Sequence, residues 1–149
     1  MPHHPIAIRP MESSDVEAVA HLCGQLGYPA TAEQIARRWS IMSSQAGNAV
    51  LVAVRNGQVL GWLHVATRPI LEFDLSAEIW GLIVDERERG DGIGRMLLEA
   101  AERWAIGAGC TGMRVRSRVE RSRAHAFYER EGYSRVKTQH VFEKPLVSR

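Results

Sequence analysis

The residues best suited to chemistry lie between Val84 and Leu98, where the chain reads Val-Asp-Glu-Arg-Glu-Arg-Gly-Asp-Gly-Ile-Gly-Arg-Met-Leu-Leu. Gly90, Gly92 and Gly94 alternate with Asp91 and Ile93 and are bracketed by Arg89 and Arg95. Glycines let the backbone come close to a ligand and turn its N–H groups outward. The first N–H groups of a helix have no internal acceptor, and the helix dipole favours an anion there. This pattern suits a pyrophosphate, with the two arginines as flanking cations. No Gly-Lys-Ser/Thr follows, so the loop is not a Walker A loop, and the glycine spacing does not fit the dinucleotide fingerprint G-x-G-x-x-G. Arg89-Gly90-Asp91 matches an adhesion tripeptide, a coincidence at the start of a helix. A tight strand-to-helix turn without a ligand would use the same glycines, and the segment alone leaves both readings open.

The elements that must position this loop follow from periodicity and punctuation. Ile6 to Arg9 reads as a short strand ended by Pro10. Residues 12–15 offer capping groups for a helix carrying Val16, Val19, Ala20, Cys23 and Leu26 on one face, broken by Gly27-Tyr28-Pro29. Thr31 caps a second helix with Glu33 and Gln34 in its first turn. The apolar runs 49–54 and 59–65 flank Asn56-Gly57, a pair suited to the positive φ angles of a type I′ hairpin. Residues 77–84 form the next strand, and 92–106 the longest amphipathic helix. Residues 113–116 alternate as a strand, 122–131 form a short helix, and 133–146 read as one or two final strands. This order predicts an α/β (α+β) fold.

Composition narrows the class. The chain has 149 residues, enough for a single domain over 1–149 with a sizeable core. Its 45% hydrophobic and 24% charged residues exclude disordered and fibrous classes. No run is long enough to span a membrane, and the N-terminus lacks the pattern of a signal peptide. Cys23 and Cys110 make neither a disulfide framework nor a metal-ligand spacing, so the expectation is a cytoplasmic chain without a metal site. Net charge is +2, yet the basic residues are 17 Arg and 2 Lys, and most of them fall after residue 75. Arginine presents a planar fork of donors suited to phosphate. A nucleic-acid partner is not expected, because the arginines of 114–135 lack interleaved aromatics and are diluted by Glu120, Glu129 and Glu131.

A second segment completes the picture. Arg121-Ser122-Arg123-Ala124-His125-Ala126-Phe127-Tyr128, followed by Gly132-Tyr133, lies downstream of Arg89-x-x-Gly92-x-Gly94. Together these resemble the two signature segments of the GNAT N-acetyltransferase superfamily. Arg121 stands where the second segment usually has Asn. The resemblance spans nearly the whole chain. It implies a mixed, mostly antiparallel sheet splayed as a V, with flanking helices, between the strands ending near Val84 and Arg116. Acetyl-CoA would be the cosubstrate.

The resemblance also implies roles. Leu82, Ile83 and Val84 would pair with the pantetheine arm as an added strand. A splayed strand has unpaired N–H and C=O groups that an amide-bearing ligand can satisfy. An N–H near Leu82, at a bulge, would stabilise the tetrahedral oxyanion. Arg89, Gly90, Asp91, Gly92, Ile93, Gly94 and Arg95 would hold the pyrophosphate, with Ser117, Arg121, Ala124 and Tyr128 completing the cosubstrate site. Tyr128 would be the general acid and Glu78 the general base, with Glu72, Asp74 and His64 behind it. Neither cysteine has an activating base in sequence, so transfer would be direct, in a ternary complex. Glu72, Asp74 and Glu78 suggest a cationic primary amine as acceptor. The segments around Glu78 and His125 look most like the small-molecule branch of aminoalkylphosphonate and aminoglycoside acetyltransferases. The alternatives are protein N-terminal or lysine acetylation, or a non-catalytic acetyl-CoA-binding module. The final strands of this superfamily often pair across a two-fold axis, so the resemblance is compatible with a homodimer, which no single residue establishes.

Overall fold

The structure, a computed structural model, describes residues 4–117 and 120–147. The chain divides into two compact units, Met1–Arg116 and Ser117–Arg149. In the first unit the order is β1 (Ala7–Pro10), α1 (Val16–Leu26), α2 (Ala32–Ser43), β2 (Asn48–Arg55), β3 (Gln58–Arg68), β4 (Ser76–Val84), α3 (Ile93–Gly107) and β5 (Met113–Val115). The strands form one sheet in the order β1-β2-β3-β4-β5, antiparallel except for the parallel pair β4–β5.

Local chemistry explains most boundaries. Asn56 and Gly57 take φ values of 51° and 78°, the left-handed pair that a two-residue hairpin between β2 and β3 requires. Thr31 Oγ1 accepts from Gln34 N at 3.1 Å while Gln34 Oε1 accepts from Thr31 N at 3.0 Å, a reciprocal box that starts α2. Ahead of α1, Asp15 is buried in a 3₁₀ turn, where it accepts from Glu12 N at 2.7 Å and from both Nη atoms of Arg9 at 2.7 and 2.9 Å. These bonds hold its carboxyl below the usual range, the hydrogen bond from Arg9 being the largest cause.

The sheet is covered on both faces. Val19, Ala20 and Cys23 of α1 and Ile35 of α2 pack with Met11 and Val52, joined by Val50, Val54, Trp39 and Trp62. Gly61, next in β3, points the other way, where a Cβ would lie 3.3 Å from Leu97 Cδ1 of α3. Residues alternate across a strand, so α3 covers the opposite face, burying Ile93, Leu97, Leu98, Ala101 and Ala105.

The second unit contains α4 (Ser122–Arg130). The expected final strands over 133–146 are not present among the described residues. A strand is stabilised by its ladder, and residues 133–147 join no strand ladder among the described residues, where Val136, Val141, Phe142, Leu146 and Val147 are exposed.

Candidate active site

The site grows from a defect in β4. His64 pairs with Gly81 but Val65 pairs with Ile79, so Trp80 is an extra residue bulging from the strand. β5 accompanies β4 only through Ala77, Glu78 and Ile79. Beyond that point residues 81–84 are paired with β3 on one side and, among the described residues, with nothing on the other. Leu82, Ile83 and Val84 therefore sit together on an open edge that begins at a bulge. Trp80 is exposed at its start. The ring of Trp62 covers Gly81 so closely that a Cβ there would be 2.8 Å from Cη2.

The edge leads into the glycine loop. Asp85 N donates to Leu60 O at 2.8 Å, and its buried carboxylate accepts from Arg87 N at 3.1 Å. The Arg87 amide is the main reason the Asp85 carboxyl lies below its usual range. Gln25, near the end of α1, braces the same turn, its Oε1 accepting from Glu86 N at 2.9 Å. Arg55 and Glu88 form an ion pair at 2.9 Å, and Arg89 curls back to donate from Nε to Val84 O at 3.3 Å. Gly90 (φ 96°) and Gly92 (φ 79°) are both left-handed, with nothing within 4 Å of where a Cβ would be. The first α3 bond runs from Met96 N to Gly92 O at 3.1 Å, so helix geometry leaves the amides of Ile93 and Gly94 without an intrahelical acceptor. An anion-bearing cosubstrate fits this cradle, since both the space and the donors are there. Arg95 is ion-paired to Glu99 at 3.0 Å on the exposed side of α3.

The expected acceptor residues are not gathered in one place. Glu72 and Asp74 are exposed on the 69–75 loop. Glu78 is buried, 2% exposed. Its Oε2 lies 3.4 Å from Arg68 Nε and its Oε1 2.9 Å from Arg116 Nε, the latter contact lacking the alignment of a hydrogen bond. On the same face of β3, His64 Nε2 is 3.1 Å from Asn48 Oδ1, and burial pushes its imidazole below its usual range. The neutral ring is therefore the dominant form at pH 7, and giving Nε2–H to Asn48 leaves Nδ1 as the basic nitrogen.

In the second unit Tyr128 lies on α4, stacked on Phe127 at 5.2 Å and edge-on to Tyr133 at 5.9 Å. Burial pushes its phenol up to about 12, against a smaller opposing effect of Arg121. Arg121 is the N-cap residue of α4, Ala124 is half-buried within the helix and Arg123 is exposed. Ser117 Oγ is buried and has no hydrogen-bond partner among the described residues.

Sequence reasoning missed Arg68, Arg116, Asn48, Trp62 and the Gln25–Asp85 brace. For Arg116 a signal existed, because alternating Arg114 and Arg116 along a strand put two cations on one face.

Comparisons with known proteins agree with this arrangement. The profile of the Acetyltransferase (GNAT) family matches residues 16–133. The chain is 32% identical over 104 residues to an aminoglycoside N(6')-acetyltransferase type 1 of Klebsiella aerogenes, covering 66% of this chain and 67% of that one. It is 37% identical over 87 residues to an aminoalkylphosphonate N-acetyltransferase of Salmonella typhimurium, covering 55% and 54%. A solved aminoglycoside N-acetyltransferase, AAC(6')-Iy in complex with CoA, shares the fold with a TM-score of 0.87 at 18% identity over 97% of each chain. With a glycine cradle at the end of an open, bulged strand edge and a family match across most of its length, the chain belongs to the Acetyltransferase (GNAT) family and is an acetyl-CoA-dependent N-acetyltransferase.

Proposed function

We propose that the enzyme moves the acetyl group of acetyl-CoA directly to the primary amine of a small molecule. The observation that carries this reading is the open edge of β4 running from the bulge at Trp80 into the left-handed glycines of the cradle. An amide-bearing arm satisfies such an edge as an added strand does. The backbone N–H near Leu82 polarises the thioester carbonyl, and the amides at the start of α3 hold the pyrophosphate. Tyr128 protonates the departing thiolate. A phenol raised to about 12 stays protonated, and so able to donate, across the whole working pH range.

Two groups on the α1–α2 face of the sheet can take the proton from the acceptor. Glu78 is one, and the neutral imidazole of His64 is the other. Glu72 and Asp74, exposed on the neighbouring loop, attract the ammonium. Burial pushes both Cys23 and Cys110 up, which supports direct transfer rather than an acetyl-cysteine intermediate. Small-molecule acceptors are favoured by the likeness to the Klebsiella aminoglycoside and Salmonella aminoalkylphosphonate acetyltransferases. We place the enzyme in the cytoplasm, in keeping with two free cysteines. No helix among the described residues is long and apolar enough to cross a membrane. The exposed apolar residues of 136–147 are the proposed contact of a homodimer.

The test is thiol release from acetyl-CoA with a panel of primary amines. Tyr128→Phe lowers kcat at least about tenfold while the KM for acetyl-CoA stays near its original value. An unchanged kcat removes Tyr128 from the mechanism.

A further inference from the structure

Glu78 has more positive charge around it than one carboxylate needs. Arg68 and Arg116 both touch it through Nε, and Arg114 is its partner in the β4–β5 register. These four groups sum to a formal charge of +2, and Arg114 makes no ion pair among the described residues. Arg68 Nη1 is spent on Ser76 Oγ at 3.3 Å. Arg116 differs. Its side chain is 54% exposed, and neither Nη atom has an acceptor among the described residues. It is a guanidinium ion-paired to Glu78 through Nε, with both Nη atoms open.

Its place in the sheet says what that open edge faces. Arg116 follows directly on β5, level with the Trp80 bulge, where β4 and β5 part. Val84, where the edge meets the glycine loop, is four residues further on, about 13 Å at the rise of a strand. The fork is thus remote from the phosphate cradle and beside the stretch of β4 where the oxyanion-stabilising amide is proposed. It lies on the face shared by Glu78, His64 and Trp62, the one covered by α1 and α2.

We propose that Arg116, positioned by Glu78 and supported by Arg68, binds an oxyanion on the acceptor, so that the substrate is a short primary amine bearing a carboxylate or phosphonate. A planar two-donor fork matches either group in bidentate fashion. The proposal rests on the acetyltransferase reading and narrows it, setting zwitterionic amines above polycations. Glu78 becomes a positioning residue whose charge holds the Arg116 guanidinium beside β4.

The test measures kcat/KM by thiol release for 2-aminoethylphosphonate and β-alanine, for ethanolamine and 3-aminopropanol, which carry a neutral hydroxyl in place of the oxyanion, and for the polycation kanamycin. The anionic amines exceed the hydroxyl-bearing ones by about 10–100-fold, the value of charged hydrogen bonds to the fork. Arg116→Gln shrinks that ratio through the KM of the anionic amines, and Arg116→Lys restores part of it. The KM for acetyl-CoA separates this effect from a disturbed cosubstrate site, because only a disturbed site raises it. Phosphonate and carboxylate compared with each other identify which oxyanion is preferred. Equal or better turnover of the hydroxyl-bearing amines or kanamycin overturns the anion site and leaves the acetyltransferase reading standing. No thiol release with any amine overturns both. A folded Arg116→Gln or Arg116→Lys protein, checked by its thermal melt, that keeps the full ratio also overturns the assignment to Arg116.

Discussion

Gly92→Ala isolates the contribution of backbone conformation to cosubstrate binding. Gly92 caps α3 with φ 79° and ψ 10°, and nothing lies within 4 Å of a Cβ placed there. The added methyl meets no atom, so the only cost is that of holding an L-residue in the left-handed region, about 1–2 kcal/mol. If the loop keeps its shape, that strain appears as stability, about 3–6 °C in Tm for a chain of this size. If the loop relaxes instead, the Ile93 and Gly94 amides turn away. The binding-competent form then becomes a minor population, and the Kd for CoA rises about 5–30-fold. Calorimetric titration with CoA and a thermal melt read the two channels together. Gly107→Ala is the control, lying in the last turn of α3 with equal space around it and no positive φ. There alanine gains up to about 1 kcal/mol of helix propensity and leaves the Kd alone. A Gly92→Ala protein with both its Kd within about twofold and its Tm within about 1 °C of the parent would refute the reasoning, since the strain must appear in one or the other.

Other expectations concern protons. His64 is held neutral by burial, so if it is the base, kcat/KM climbs through a midpoint below the ordinary imidazole value of about 6.5 and stays level above it. His64→Gln abolishes that limb, and a limb that survives the substitution removes the imidazole as the base. The Asp15 carboxyl is lowered in the folded state by Arg9, so its contribution to stability is present above the unfolded value and is lost as pH falls through the folded one. Asp15→Asn therefore lowers stability at pH 7, and the difference from the parent shrinks as urea melts are carried to progressively lower pH. Tyr128 has the opposite sign. Burial favours its neutral form, so native stability declines as pH rises from about 10 to 12, and Tyr128→Phe removes that decline.

Features set by neighbours in sequence were legible, and features set by register were not. Asn56-Gly57, Thr31 with Gln34, and the glycines before α3 each act within a few residues, and each forms the turn, cap or cradle its chemistry implies. Glu78 was legible as a candidate, but its surroundings were not. Arg68 reaches it from β3 and Arg116 from beyond α3, and their meeting depends on the bulge at Trp80 and on a parallel pairing three residues long. The apolar pattern of 133–146 likewise suggested strands, because alternation describes a face and says nothing of whether a partner lies alongside.

The open edge of β4 has a cost apart from catalysis. Sheet edges invite other strands, and proteins blunt them with short strands, proline or charge. β1, at the other side of the sheet, is four residues long and ends in Pro10. Residues 80–84 read Trp-Gly-Leu-Ile-Val, with neither proline nor charge. The stretch proposed to receive the pantetheine arm is thus a template for aggregation whenever it is empty. On that proposal, bound cosubstrate does a second job, covering the edge that would otherwise recruit another chain.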